Sequence, residues 1–333
     1  MPTPLSAARL RFGPYVASAS ARLGSGHHGT VLAGVHAQTG ASVAIKLEGE
    51  TSAASPRLAR EAGVYRDLHG APGFPRMRWY GRAHGFFAIV LDHLGPSLRE
   101  VHRAAGLTLS CRAVRHIGGQ ALQRLEALHD AGWLHCDMKP ANLLLPPRAN
   151  LPADGDTHDS LSLAAALADG PPLFCVDYGL SRRWADVPLA RREGVVGTGR
   201  YASLSNHSGA PLGRRDDVES TLLTLAYLRS GRLPWSGLKA GTKRERFAMM
   251  LESKQAMSVA ELSMDMPHGF EDAFKLVRAL EHNERPPYDA LRRLVGPEPW
   301  PGPQAVPVSA PDHVGRAVTG HARTRGRRRA LRQ

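Results

Sequence analysis

The run His135-Cys136-Asp137-Met138-Lys139-Pro140-Ala141-Asn142, followed downstream by Asp177-Tyr178-Gly179, constrains this chain more than any other feature. For these residues to work together, two separate segments must converge on one point. Phosphoryl transfer needs such a set: an in-line hydroxyl, a bound magnesium-nucleotide and positive charge around the moving phosphoryl group. On that reading Asp137 accepts the hydroxyl proton, Lys139 steadies the γ-phosphate, and Asn142 and Asp177 hold the metal ions. Each piece alone has an ordinary explanation, because Asp-x-Lys is usually a surface ion pair and Asp-x-Gly usually a turn. The two in this order, with the asparagine at the motif's spacing, make coincidence remote.

The upstream sequence supplies what such a site requires. Leu23-Gly24-Ser25-Gly26-His27-His28-Gly29-Thr30-Val31 is a glycine-rich lid whose N–H groups can approach phosphates with no Cβ in the way. Dinucleotide-binding folds use the same string, and Glu48 falls near their ribose-binding acid. Two features argue against that alternative: Val31, Leu32 and Val35 read as a strand, and Val43-Ala44-Ile45-Lys46 matches a strand-borne lysine. Alternation puts Val43 and Ile45 on one face and Ala44 and Lys46 on the other. Lys46 then needs a carboxylate. Leu58, Ala62, Tyr65 and Leu68 recur at helical spacing, and Glu61 lies among them; Asp67 and Glu50 are its rivals.

With these pieces in place the chain resembles the casein kinase I family of Ser/Thr protein kinases from about residue 15 to about 295. The more specific strings are Leu94-Gly95-Pro96-Ser97-Leu98, Gly197-Thr198-Gly199-Arg200-Tyr201-Ala202-Ser203, Arg214-Arg215-Asp216-Asp217-Val218-Glu219-Ser220, and Leu233-Pro234-Trp235-Ser236-Gly237-Leu238-Lys239-Ala240 with Thr242-Lys243-Arg244. The resemblance implies an α+β bilobal fold with a strand-rich N-lobe and a helical C-lobe. It also implies ATP and Mg2+ as cofactors and protein serine or threonine as acceptor. Leu23, Gly24, Gly26, Gly29, Val31, Ala44, Lys46, Glu61, Leu91, Asp92, Leu94 and Asp177 would serve the nucleotide, with Leu91 as gatekeeper and Asp92, His93 and Leu94 as hinge. Asp217 would brace the catalytic loop. Arg200, Gly231, Arg232 and Lys243 would form an anion site favouring acidic or phosphate-primed substrates.

The departures are specific. Cys136 stands where most members have an arginine that pairs with a phosphorylated activation segment, so control by that route is not expected. Tyr178 replaces phenylalanine and needs a hydrogen-bond partner if buried. Ser205 replaces an asparagine, and His27-His28 replace a small-aromatic pair at the lid tip.

Hydrophobic residues make up 42% of the 333, enough for a sizeable core. No apolar run is long enough to span a bilayer, and the N-terminus lacks a secretory pattern. Three cysteines cannot all pair and show no metal spacing, which fits reducing cytosol or nucleus. Residues 1–14 read as an arm, 15–295 as the kinase domain (N-lobe about 15–92, C-lobe about 93–295) and 296–333 as a basic, disordered tail. An insertion at 146–172 reads as a loop or short surface helix, with a docking element as the sharper alternative. The net charge of +13 is partly concentrated in the run from His321 to Arg332, a solvated tail, an import signal or a nucleic-acid contact. The expected chain is a monomer acting on protein substrates, with nucleic acid reached only through that tail. A kinase-fold scaffold without turnover is the competing reading.

Overall fold

The computed structural model describes residues 9–26, 29–50, 56–147, 167 and 170–298. Strands β1 (Arg9–Phe12), β2 (Tyr15–Gly26), β3 (Gly29–His36), β4 (Ser42–Gly49), β5 (Met77–Ala83) and β6 (Phe86–Asp92) form one antiparallel sheet in the order β1-β2-β3-β4-β6-β5. The register sets Val31 opposite Lys46 and Lys46 opposite Ile89, and sets Ala44 opposite Leu91. Opposed residues share a face and alternate residues share it too. Val31, Ala44, Lys46 and Leu91 therefore line one side of the sheet, while Leu32, Val43, Ile45 and Val90 fill an apolar core on the other.

Strand β1 corrects the arm expected over residues 1–14. Leu10 and Phe12 alternate with Arg9 and Arg11, so one face of four residues is apolar enough to pair with β2 and bury. Phe12 is fully buried, with its ring 6.4 Å from that of Trp79. Helix α1 (Pro56–Asp67) follows β4, and the carboxylate of Glu48 accepts from Leu58 N–H at 3.0 Å near the helix N-terminus. That places Glu48 on an orphan donor of the helix rather than on a ribose.

The second lobe is helical. Its described helices are α2 (Leu98–Ala104), α3 (Cys111–Asp130), α4 (Leu204–His207), α5 (Arg214–Ser230), α6 (Lys243–Ala256), α7 (Val259–Ser263), α8 (Phe270–Ala279) and α9 (Tyr288–Val295). Short ladders join β7 (Trp133–Leu134) to β10 (Arg182–Arg183) and β8 (Leu143–Leu144) to β9 (Phe174–Cys175). The stripe Val114, Ile117, Ala121, Leu122, Leu125 and Leu128 of α3 is buried, as its spacing predicts. Gly118 explains itself by packing: a Cβ there would lie 3.0 Å from a Leu225 methyl and 3.1 Å from the Val295 carbonyl oxygen. Glycine in a helix interior costs about 1 kcal/mol, which the closer approach of α5 and α9 offsets. Helix α5 is buried almost all round, as a central core helix must be.

The chain is thus an α+β bilobal fold, with a strand-rich first lobe and a helical second lobe. Among the described residues no helix is long and apolar enough to cross a membrane. Most of the 146–172 insertion and residues 299–333, with the basic run, lie outside the described residues. The far end of the insertion is held. Gln120 donates to Pro171 O at 2.9 Å and accepts from Leu173 N–H at 2.8 Å, and Leu167 is buried.

Candidate functional site

The lid is the β2–β3 hairpin. Gly26 pairs with Gly29, Ser25 with Thr30 and Gly24 with Val31; residues 27 and 28 lie outside the described set. Gly29 has φ 111° and a Cβ there would sit 2.2 Å from Leu47 O, so only glycine fits. Gly24 differs, because a Cβ would meet nothing within 4 Å. Packing among the described residues does not require glycine at 24, and a backbone free of a Cβ there leaves its N–H open to an anion. Leu23 beside it is half exposed.

On the lid's side of the sheet, Lys46 Nζ donates to Glu61 Oε2 at 2.6 Å and to Asp177 Oδ1 at 2.7 Å. Lys46 and Glu61 are buried. Burial alone lowers the Lys46 pKa, but the two carboxylates outweigh it and raise it, so the lysine stays charged. The rivals of Glu61 are engaged elsewhere: Asp67 accepts from Trp133 Nε1 at 3.0 Å and Arg183 at 2.6 Å, and Glu50 lies 3.9 Å from Arg82. Leu91, next to last in β6, is buried; Asp92, which ends the strand, is half-buried, as are His93 and Leu94 after it. The Asp92 carboxylate is spent on Arg76 N–H at 2.9 Å and Arg78 Nε at 2.7 Å, so its backbone, not its side chain, is what the hinge can offer.

The loop between β7 and β8 carries the other half of the site. Asp137 is buried; its Oδ1 accepts from Thr198 N–H at 2.8 Å and its Oδ2 from Lys139 Nζ. Lys139 also reaches Thr198 Oγ1 at 3.4 Å. Asn142 donates from Nδ2 to Asp137 O at 2.9 Å, so its oxygen is the atom suited to a metal. Val176 N–H donates to Asn142 O at 3.0 Å, and β8 pairs with β9, which brings Asn142 beside the turn bearing Asp177. Asp177 has φ 68°, a left-handed conformation that aims the carboxylate back at Lys46. One carboxylate and one amide oxygen suit a hard cation such as Mg2+ that keeps water and phosphate oxygens as its other ligands.

Asp217 at the start of α5 holds the loop from below. Its Oδ2 accepts from His135 N–H at 2.7 Å and from His129 Nε2 at 2.9 Å, and its Oδ1 from Cys136 N–H at 2.8 Å. Burial raises the Asp217 pKa, but His129 and these bonds outweigh it and lower it. His135 accepts from Asp137 N–H through Nδ1 at 3.2 Å and meets Val176 O through Nε2 at 3.2 Å. Only the neutral Nε2–H tautomer satisfies both contacts. Tyr178 finds the partner that its hydroxyl needs, Cys175 O at 2.8 Å.

Cys136 is buried with Leu134, Val187 and Leu212 in a small apolar cluster. The activation segment is held by other groups. Arg192 donates to Ala210 O at 2.9 Å, to Asn206 Oδ1 at 3.2 Å and to Gly194 O at 3.3 Å. Asn206 in turn bonds both the N–H and the carbonyl of Val196, at 3.1 and 2.9 Å. Ser205, at the asparagine's expected place, donates to Asp216.

Of the four anion-site candidates, Arg200 and Lys243 are linked through the ring of Phe247, and no hydrogen bond or ring contact among the described residues ties Gly231 or Arg232 to either of them. The Arg200 guanidinium is 5.3 Å from the Tyr227 ring centre and Lys243 Nζ 5.4 Å from that of Phe247. A Cβ on Gly199 would lie 2.6 Å from Phe247, so the backbone before Arg200 touches the ring under Lys243. Gly231 ends α5 with φ 75°, and Arg232 beyond it is exposed. The acids that could neutralise these cations are engaged elsewhere: Asp216 with Ser203 and Gly213 N–H, Glu219 with Arg278, and Glu245 with Thr242 N–H.

Sequence reasoning missed the Thr198 N–H, Arg192 and Lys254. Backbone donors and buried cations leave no periodic signal; Lys254 reads as one more charge on a polar helix. The family model of the protein kinase domain matches residues 18–286.

Proposed function

This chain belongs to the protein kinase family, and from that premise we propose that it is a serine/threonine kinase of casein kinase I type, transferring the γ-phosphoryl group of ATP to acidic or phosphate-primed proteins. The observation that carries the reading is that Lys46 bonds both Glu61 and Asp177, Asp137 bonds Lys139 and Asn142, and Val176 N–H, next to Asp177, bonds Asn142 O and so brings the two sets together. In the proposed reaction Asp137, oriented by Thr198 N–H and Lys139, accepts the proton of the acceptor hydroxyl. That oxygen bonds to the γ-phosphorus while the bond to the bridging oxygen breaks and its electron pair leaves with ADP. Lys46 and Lys139 bind phosphate oxygens, and Asn142 and Asp177 are the residues that would hold Mg2+. Held there, Mg2+ would supply positive charge to offset that of the phosphates.

Asp137→Asn is expected to lower transfer of labelled phosphate to a casein-like acidic peptide by about 10²–10⁴-fold, with nucleotide affinity little changed. Lys46→Met is expected to weaken nucleotide positioning instead. A non-catalytic scaffold would show no Mg2+-dependent transfer in the parent chain and no effect of Asp137→Asn.

A further inference from the structure

Residues 197 and 198, at the start of the segment 197–203, lie against Asp137. Thr198 N–H donates to its Oδ1 at 2.8 Å, and Gly197, at φ 78°, comes so close that a Cβ would lie 2.4 Å from Cys136 O. The same segment is held from beneath by side chains of the helical lobe. Lys254 of α6 is 2% exposed; its Nζ donates to Ala202 O at 2.5 Å and Gly199 O at 3.1 Å, and lies 4.8 Å from the Trp235 ring centre. Trp235 Nε1 donates to Arg200 O at 2.7 Å, and His207 Nε2 meets Gly199 O at 2.8 Å. An ammonium is matched to this setting, with protons for two carbonyls and a charge for an aromatic face. Burying it is costly unless those contacts are all made.

We propose that Lys254 is a positioning residue for acceptor binding: its ammonium fixes the Gly199 and Ala202 carbonyls, and so the backbone of residues 197–203 beside Asp137, and losing its charge relaxes that backbone. The proposal rests on the kinase reading for its effect on turnover, but not for its effect on the segment. The charged groups facing Lys254 are Glu219 of α5, which pairs with Arg278 of α8 at 3.1 Å, and His207 of α4, with Asp216 beside Glu219. The other charged residues of α6 are exposed. Burial lowers the Lys254 pKa, Glu219 opposes this and Arg278 adds to it, leaving it at about 7. His207 is lowered to about 4 by burial and by Lys254, and is neutral where Lys254 titrates. As pH rises through about 7, Lys254 loses the proton and the segment loses its cation.

The test is steady-state kinetics of the full chain with an acidic peptide across neutral pH, beside Lys254→Met and Lys254→Arg. The parent is expected to show peptide KM rising above pH about 7, with ATP KM flat. Lys254→Met should raise peptide KM on the order of 10-fold at the acid end and abolish the pH dependence, while Lys254→Arg, charged throughout, should restore a low and flat KM. Hydrogen exchange needs no turnover: in Lys254→Met the amides of residues 197–204 should exchange faster, with those of 174–179 unchanged. Unchanged exchange in 197–204, or equal rises in peptide and ATP KM, overturns the proposal. If the parent transfers no phosphate but Lys254→Met still loosens only 197–204, the kinase reading fails and the role of Lys254 in holding the segment stands. Where Lys254→Met does not fold, Lys254→Gln removes the charge more gently, and the same exchange comparison of 197–204 with 174–179 decides the matter.

Discussion

At the scale of single residues, the site is held by groups with more than one partner: Lys46 bonds Glu61 and Asp177, Asp137 accepts from Thr198 N–H and Lys139, and Asp217 accepts from His129 and two backbone N–H groups. Asp137 and Asp177 could be named from the chemistry of their motifs, Glu61 only as one of three acids near a helical stripe, and Asp217 only through the family resemblance. Their second partners could not be named: that Lys46 bridges Glu61 and Asp177 together, or that Thr198 N–H orients Asp137, depends on backbone placement that no spacing rule encodes. The anion-site cations invite a direct test. Arginine can grip a phosphate bidentately and lysine adds a point charge. Replacing Arg200 and Lys243 together by alanine is expected to raise KM for a phosphate-primed peptide about 10-fold and barely alter an unprimed one, a difference of about 1.4 kcal/mol. Equal losses on both peptides would remove the anion site from the account. Asp217 makes a pH prediction. Its folded pKa lies below the ordinary carboxylate value, so its stabilisation is full above that value and is lost as pH falls through the folded one. The stability gap between the parent and Asp217→Asn, read by denaturant titration, should therefore narrow as pH falls below about 4.

At the scale of elements, the activation segment is the informative one. Cys136 offers no guanidinium to a phosphorylated residue, and Arg192 with Asn206 already ties residues 192–196 to α4 and the turn after it. Phosphatase treatment of the recombinant chain is expected to leave peptide phosphorylation intact. Arg192→Ala should lower it by about 10-fold, on the order of the loss of one charge-assisted contact of about 1.5 kcal/mol. Restoration of a phosphatase-silenced chain by phosphorylation between residues 181 and 198 would reverse this picture. Helices α1, α3 and α5 could be read from apolar periodicity or from the motif at the helix start. Strand β1 could not, because four residues carry too little pattern, and its stability comes from pairing with β2 and from Phe12 meeting Trp79.

At the scale of the whole molecule, the two lobes were foreseeable from the strand-borne lysine and the downstream motifs, since a site built from both ends of a chain needs a cleft between two bodies. How the insertion is anchored within the second lobe was less visible. The exit of the insertion is pinned to α3 by Gln120, and by Arg124 donating to Leu173 O at 3.0 Å. This leads straight into β9 and the Asp177 turn. Sequence marks such an insertion only as polar and proline-bearing, and gives no sign that its last residues are fixed to a core helix.

The distribution of sulfur gives the chain a built-in reporter. Cys111 opens α3 and is exposed, whereas Cys136 and Cys175 are buried on either side of the site. Burial pushes the Cys136 thiol pKa well up, which suppresses the thiolate that alkylating reagents attack. A maleimide dye should therefore mark the native protein at Cys111 alone, and mass spectrometry should find labels at all three positions only once denaturant has opened the fold. The same two shielded thiols make the centre of this enzyme a poor target for cysteine-directed covalent inhibitors, so compounds designed against it would have to bind reversibly.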